Sequence, residues 1–278
     1  MRWTIAVFVT CGLLAAGTVP ESLQRSLSFH ASFDKGMDAD VARGDRKIYN
    51  ASDYKAQSGA QPGAGEVDAA IEKGVGIAGS NALRFRTKNT RALFFRGDRH
   101  VALSGGTISF WLRLDPDKDL APGFCDPMQV TDKAYNDSAI WVDFTKDDTP
   151  RHFRLGVFGS LKMWNPTDTP PDRNPDFLRR LIVVDRPPFS REHWTHVVLT
   201  WTGLDKGGNG SASLFLNGKR ISSATGIREP FVWDPSRLAM RLGVNYTGLM
   251  DDIAAFDRAL NERDVASLYK AGSSGSGD

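Results

Sequence analysis

Short segments in which apolar and polar residues alternate dominate the pattern of this chain. Residues 26–33 place Leu27, Phe29 and two further apolar residues at every second position, and residues 107–114 alternate with Trp111 on the opposite face. Because successive side chains of a strand point to opposite faces, these segments are predicted to be half-buried strands. Further strands are predicted at residues 48–49, 82–86, 92–95, 100–103, 139–144, 152–158, 238–242 and 248–256.

The most regular part of the chain is residues 194–219. It contains WTHVVLTW, a Gly- and Asn-rich turn and SASLFLNGK, with Asn217-Gly218 as a second turn signal. This arrangement predicts a β-hairpin in the core of a larger antiparallel sheet. His193 and His196 lie three residues apart, which on a strand puts them on opposite faces, so a zinc pair is not expected.

Residues 34–65 lack any sustained period and are predicted to form a long loop around the short strand at residues 48–49. Two further long stretches, residues 115–137 and 159–191, are irregular, and the second is repeatedly interrupted by proline. A loop of that length in a compact domain is either functional or mobile. Near the end, Asn261 precedes an amphipathic segment with Asp264 three positions on and Gly272 at its close. These are the start and stop signals of a short helix.

Many short strands and one clear helix predict an all-β fold, a two-sheet antiparallel sandwich or barrel. A chain of 278 residues with 41% hydrophobic residues can bury the core of one large domain. Its formal net charge is +2, from 35 basic and 33 acidic residues that are interspersed along the sequence. That balance gives no sign of a nucleic-acid groove.

The N-terminus has the layout of a secretory signal peptide. Arg2 precedes an apolar run over residues 5–16, and small residues precede Thr18. We predict a signal peptide at residues 1–17 and a secreted, periplasmic or cell-surface protein without a membrane span after cleavage. The run is short for a transmembrane helix, although an uncleaved anchor remains the alternative. Only Cys125 would then remain, so the mature chain could form no internal disulfide.

Several motifs occur in an order typical of one family. They are residues 26–33 followed by Asp34, NALRF at 81–85, TISFW at 107–111, WTHVV at 194–198, LFLNGK at 214–219, and GLMDDI at 248–253 followed by FDRAL at 256–260. Together they resemble the laminin-G-like jelly-roll domains of the concanavalin A-like superfamily, over residues 26–271, with a flexible tail at 272–278. The resemblance implies an extracellular jelly roll of two antiparallel sheets, often used to bind carbohydrate or protein.

The same resemblance implies a structural calcium ion. Asp34 and Asp251, with Asp252, are the positions that match its ligands, since the first and last strands are neighbours in the family. Hard cations prefer several carboxylate and carbonyl oxygens brought together by loops. The alternative is that Asp251 and Asp252 cap a turn or pair with arginine.

Exposed aromatic rings are the usual means by which a β-sandwich holds a sugar. Trp111 and Trp141 are candidates, although Trp141 is expected in the core. Trp164 and Trp233 lie in polar, proline-flanked loops, and with Tyr246 they are the predicted ligand-binding residues. Packing within their own loops is the alternative for both tryptophans.

No catalytic constellation is convincing. Glu66, Asp68 and Glu72 approach the E-x-D-x-x-E spacing of glycosidases in the superfamily, but the third acid comes one residue late. The glycines of residues 74–79 match a dinucleotide-binding spacing, yet a strand-like segment follows where a helix is needed. Cys125 has no predicted catalytic partner.

These observations predict a secreted, non-enzymatic binding module for carbohydrate or another extracellular surface. The first alternative is a structural or adhesion protein that makes protein contacts through residues 159–191. The second is a divergent glycoside hydrolase built on Glu66, Asp68 and Glu72.

Overall fold

The computed structural model describes residues 19–273, which form two antiparallel β-sheets packed face to face. Seventeen strands are present in this range. Their bounds are β1 Leu27–Ala31, β2 Val41–Ala42, β3 Ile48–Ala51, β4 Gln61–Pro62, β5 Ala69–Glu72, β6 Ala82–Phe85, β7 Ala92–Arg96, β8 Gly105–Arg113, β9 Cys125–Thr131, β10 Ala139–Phe144, β11 Phe153–Phe158, β12 Leu181–Val184, β13 Thr195–Thr202, β14 Gly210–Leu216, β15 Lys219–Ile227, β16 Ala239–Val244 and β17 Gly248–Phe256.

Four α-helices accompany the strands in the described range. They are α1 Pro116–Asp119, α2 Leu161–Trp164, α3 Pro175–Leu178 and α4 Glu262–Ser273. The first three are single turns inside the two long irregular stretches. The fourth is the predicted C-terminal helix, and Asn261 and Asp264 cap it reciprocally, each side chain accepting from the backbone N–H of the other.

Pairing between distant parts of the chain builds both sheets. The 9-stranded sheet has the order β15-β14-β13-β8-β17-β1-β2, with β6 pairing with β17 and β5 with β6. The 8-stranded sheet has the order β12-β11-β10-β9-β16-β7-β3-β4. The predicted hairpin is the β13–β14 pair, in register from Val197 opposite Leu216 to Thr202 opposite Ser211. The prediction of an all-β, two-sheet antiparallel sandwich with a C-terminal helix is confirmed.

One hydrophobic core lies between the sheets. It takes alternate residues from each long strand, including Phe29, Phe110 and Leu199 from the 9-stranded sheet and Val142 and Leu155 from the 8-stranded sheet. Each of these side chains is at most 1% exposed. The period-two pattern of the sequence therefore identified the inward faces correctly.

The outer face of the 9-stranded sheet is covered by α4. Trp111, which alternates with core residues of β8, stacks on His196 and on Tyr269 of the helix, with ring centroids 4.6 and 5.7 Å away. Gly272 lets the helix approach, because a Cβ there would lie 2.5 Å from the Trp111 ring. Gly272 was predicted to begin the flexible tail, but it is buried in α4, which continues to Ser273.

Residues 100–103 were predicted as a strand, and this is wrong. The backbone N–H groups of His100 and Val101 both donate to the Gly97 carbonyl, which closes a turn. Both nitrogens of the buried His100 ring contact backbone carbonyls, those of Ser28 and Asp45. Six strands of the described range were not predicted, namely β2, β4, β5, β9, β12 and β15.

Residues 1–18 and 274–278 are outside the described range, so the predicted signal peptide and most of the predicted tail stay predictions. Within residues 19–273, no helix is long and apolar enough to cross a membrane.

The buried His196 predicts how stability depends on pH. Burial lowers the pKa of its imidazole to about 3 from 6.5. As the pH falls from 7 to 5, the unfolded chain therefore takes up a proton that the folded chain does not, and the free energy of unfolding should drop by about 2 kcal/mol from this group. The test is a comparison by urea unfolding at both pH values, because other titrating groups also contribute. Between pH 7 and 5 the change in the free energy of unfolding should be about 2 kcal/mol more favourable in His196→Gln than in wild type, and it should match wild type in His193→Gln, which alters an exposed histidine. An equal pH dependence in all three proteins would contradict the assignment.

Candidate functional site

A polar row crosses the outer face of the 8-stranded sheet. On β10, Ile140 and Val142 point into the core, so Trp141 and Asp143 occupy the opposite face. Asp143 is directly opposite Arg154 of β11 in the register. A bulge in the β9–β10 ladder, between Val142 and Phe144, brings Asp126 to the same face.

This face carries a groove of about 530 Å³, within the range of small-ligand sites. Its lining residues are Phe124, Asp126, Gln129, Tyr135, Trp141, Asp143, Lys146, Arg154, Pro171, Phe177, Leu178, Val244 and Asn245. We call it the outer-sheet groove. Aromatic rings and charged groups thus share one concave surface.

Arg154 is the most constrained charged residue of the groove. Its Nε donates to Asp143 Oδ1 at 2.8 Å and its terminal nitrogen donates to Asp143 Oδ2, which makes a two-point ion pair. Its guanidinium carbon lies 5.0 Å from the Phe124 ring centroid and 5.7 Å from that of Trp141. Ion pairing and cation–π contacts therefore fix the guanidinium.

Asp126 lies next to this pair, half-buried, with its Oδ2 accepting from Gln129 Nε2. Burial, and then the negative charge of Asp143, raise the pKa of Asp126. Gln129 extends the row to Arg241, whose guanidinium donates to Gln129 Oε1 at 3.4 Å. The row thus offers carboxyl, amide and guanidinium groups side by side.

The apolar side of the groove rests on Trp141. Its indole N–H donates to the Tyr135 carbonyl at 2.6 Å, and its ring stacks on Phe158 with centroids 5.8 Å apart. Phe177 of α3 packs on Phe158 and meets Tyr135 edge-on. The irregular 159–191 segment therefore supplies one wall, as its length suggested. Phe124 and Tyr135 are each 41% exposed and are available to a ligand.

The three aromatic residues predicted to bind ligand lie outside this groove. Trp164 is 3% exposed, behind the wall, with its indole N–H bound to the Asn136 carbonyl. Tyr246 is fully buried and donates its hydroxyl hydrogen to the Leu249 carbonyl. The expected exposure of these two residues is wrong, because their hydrogen bonds are satisfied inside the protein. Trp233 is half-buried against Phe231 and donates to the Ser138 carbonyl.

Two of the three predicted calcium residues, Asp34 and Asp251, contact one loop. Asp34 Oδ1 accepts from the backbone N–H of Asn81, and Asp251 Oδ2 accepts from that of Ile77. Asp252, in the left-handed conformation at a bulge of β17, pairs with His30 instead. In the described part of the chain, no group of three or more His, Cys, Asp or Glu side chains is arranged to hold a metal ion.

One feature of this loop does fit a cation. Asp251 Oδ1 is buried and has no hydrogen-bond partner, and burial raises the pKa of this carboxyl to about 8. Gly76 lets the loop backbone pass close by, since a Cβ there would lie 2.7 Å from Asp251 Oδ2. The glycine-rich motif at residues 74–79 is thus a turn between β5 and β6 that encloses Asp251.

Glu66, Asp68 and Glu72 each contact a different arginine. Their partners are Arg91, Arg86 and Arg84, respectively. These surface ion pairs account for all three carboxylates. None of the three lines the outer-sheet groove.

The residues of the groove were missed in the sequence, apart from Trp141. One signal was available, because Asp143 shares a face with Trp141 on an otherwise apolar strand. An acid at that position needs a partner, and Arg154 supplies it from the next strand.

A family profile described as the concanavalin A-like lectin/glucanases superfamily, of laminin G type, matches residues 86–266. The chain belongs to this superfamily. The predicted resemblance and the concanavalin A-like jelly-roll fold are therefore confirmed. No curated protein matches the sequence significantly.

Solved structures with the same fold include several binding domains. The binding domain of botulinum neurotoxin serotype D is 11% identical, with a TM-score of 0.55 over 90% of this chain and 51% of that chain. The binding domain of Paraclostridial Mosquitocidal Protein 1 is 15% identical, with a TM-score of 0.54, over 90% and 53%. A Trypanosoma rangeli sialidase mutant displaying trans-sialidase activity is 14% identical, with a TM-score of 0.53, over 94% and 35%.

This chain spans about half the length of the two binding domains and about a third of the sialidase chain. At these sequence identities the similarity shows only a shared fold. Proteins with unrelated functions can have the same fold.

Gly156 provides a test of the groove floor. A Cβ at this position would lie 2.3 Å from the Trp141 ring. We therefore expect Gly156→Ala to push Trp141 from the sheet and to lower the free energy of unfolding by about 1–3 kcal/mol. Gly59→Ala is the matched control, because an added Cβ there meets nothing within 4 Å. Urea denaturation measures both, and equal stability of the two variants would contradict the packing described.

Proposed function

We propose that this protein is a secreted, non-enzymatic module that binds carbohydrate in the outer-sheet groove. The observation that carries the proposal is the polar row of Asp126, Gln129, Asp143 and Arg154 beside the exposed rings of Phe124 and Tyr135. Sugars present hydroxyl groups at their edges and C–H groups on their faces. Fixed charged and amide groups bind the former, and aromatic rings pack on the latter.

Two carboxylates in one groove also raise the question of glycoside hydrolysis, which the superfamily includes. That reaction needs a free carboxylate as nucleophile or base opposite a protonated acid. Asp126, with its raised pKa, has the character of an acid. Both oxygens of Asp143, however, are engaged by Arg154. This ion pair favours binding over catalysis.

An adhesion role through the 159–191 segment remains the alternative for an extracellular protein. Much of that segment is committed internally, because Trp164 and Phe177 pack beneath the groove wall. Its exposed apolar residues are Met163, Leu178 and Val183, of which Leu178 lines the groove. A contact made through Leu178 would therefore also involve the groove.

A glycan panel followed by calorimetry tests the proposal. Tyr135→Ala removes an exposed ring and Asp126→Ala removes a carboxyl group from the polar row, so each should weaken binding about tenfold or more, which corresponds to 1.4 kcal/mol. Ile221→Ala, which truncates an exposed apolar residue on β15, should bind like the wild type.

Two outcomes would contradict this function. If no glycan binds while a protein partner does, the module serves adhesion. If a polysaccharide is cleaved and Asp126→Asn abolishes product release, the protein is a hydrolase.

We also propose that calcium binds at the loop shared by Asp34 and Asp251. The buried Asp251 Oδ1, which has no hydrogen-bond partner within the described range, supports this proposal. Asp252 is the weakest of the predicted ligands, because it already pairs with His30. A bound cation would keep Asp251 ionised in a buried site and would tie the first and last strands to the β5–β6 turn.

Thermal unfolding with calcium or with a chelator tests the calcium site. Saturating calcium at about 100 times its Kd stabilises a protein by about 2.7 kcal/mol, so the chelator should lower Tm by about 5 °C or more. Asp251→Asn should remove that difference, whereas Asp257→Asn, at a surface acid paired with Arg43, should keep it. An unchanged midpoint in wild-type protein would exclude the site.

A further inference from the structure

A second cavity, of about 510 Å³, lies at the edge where β6 and β8 end and β17 begins. Its lining residues are Arg84, Phe85, Arg86, Arg113, Asp119, Arg191, Thr247, Gly248 and Leu249. Arg84 and Arg113 both pair with Leu249 in the sheet register, from opposite sides. The two arginines therefore flank Leu249 in one row across three strands.

Three of the four arginines have a carboxylate partner. Arg84 pairs with Glu72, Arg86 lies 3.6 Å from Asp68, and Arg191 donates its Nε to Asp119 at 2.9 Å. Arg113 is the exception. Within residues 19–273 no hydrogen bond or ion pair reaches its guanidinium, although the residue is half-buried.

The surroundings of Arg113 hold the guanidinium in place without neutralising it. Its guanidinium carbon lies 5.0 Å from the centroid of the Trp194 ring, a cation–π contact. Burial, followed by the positive charge of Arg84, lowers the pKa of Arg113. The negative charges of Glu72 and Asp251 raise this pKa by a smaller amount. The Trp194 indole N–H is buried and also lacks an acceptor among the described residues. Arg113 and the Trp194 ring are thus in contact, and each residue carries a donor without a partner in residues 19–273, although only Arg113 lines the cavity.

We propose that this cavity binds the anionic group of a ligand, a sulfate or a carboxylate, with Arg113 as the binding residue. The planar guanidinium presents donors in a fork that matches two oxygens of such a group. Arg84, Arg86 and Arg191 are each paired with a carboxylate, so among the described residues Arg113 carries the unpaired positive charge of the cavity. The cavity is large enough for a sugar ring that carries the anion.

This site is separate from the outer-sheet groove but adjacent to it. Asn245 lines the groove and Thr247 lines the cavity, and both belong to the short connection between β16 and β17. Two residues of chain span at most about 7 Å. The inference stands without the proposed carbohydrate function, because its observations involve none of the groove residues.

Titration of the full chain with inorganic sulfate and with glucuronate tests the site. Ionic strength is held constant with sodium chloride, and glucose is the neutral control. Wild-type protein should bind at least one of the two anions saturably by calorimetry. Sulfate binding alone identifies a sulfate site, and glucuronate binding alone identifies a carboxylate site. Binding of neither, or an equal response to glucose, overturns the proposal.

Variants then separate this site from general surface charge and from the groove. Arg113→Lys keeps the charge but loses the fork, so affinity should fall about tenfold, and Arg113→Gln should abolish binding. Arg220→Gln, at an exposed arginine that pairs with Glu262, should bind the anion normally, and so should the groove variant Tyr135→Ala. Tm of each unliganded variant verifies folding. Unchanged affinity in a folded Arg113→Lys protein would overturn the assignment.

Discussion

Apolar side chains from both sheets meet in one core, and the rest of the structure depends on that contact. Each long strand gives one face to the core, so its other face must be covered or left to solvent. On the 9-stranded sheet, α4 and the segment before β1 provide the cover. On the 8-stranded sheet, residues 159–180 cover only the end near Trp141 and Phe158. The uncovered polar row beside them becomes a groove.

The strands that could be predicted are those whose burial is visible in the local sequence. The predicted bounds of β10 and β17 agree with the structure. Both segments are mostly apolar along their whole length, so their burial can be read from the local sequence. Strand β15 was missed because it is polar and exposed along most of its length, with only β14 to hold it. Strand β9 was missed because Pro127 and a bulge interrupt its alternation, while β10 and β16 stabilise it from both sides.

The same missed strand explains why the groove was not predicted. Asp126 and Gln129 lie on β9, and they join Asp143 and Arg154 only through pairing of three strands. The polar sequence around Trp164 suggested that its side chain is exposed. In the structure its ring packs against Phe158 and Phe177, and its indole N–H donates to the carbonyl of Asn136, which is 28 residues away in sequence. Family resemblance was more informative than local pattern at the first and last strands, where Asp34 and Asp251 do contact one shared turn.

The ion pair of Arg154 and Asp143 has a consequence for conformational entropy. Immobilising a long side chain on binding costs about 0.5–1.5 kcal/mol. Arg154 is already held between two rings and by two hydrogen bonds, so its rotamer freedom is lost when the chain folds. A ligand that meets this guanidinium therefore finds it ordered. The affinity proposed for the groove therefore depends on the β10–β11 ladder, which holds Arg154 opposite Asp143, as well as on the atoms that a ligand touches.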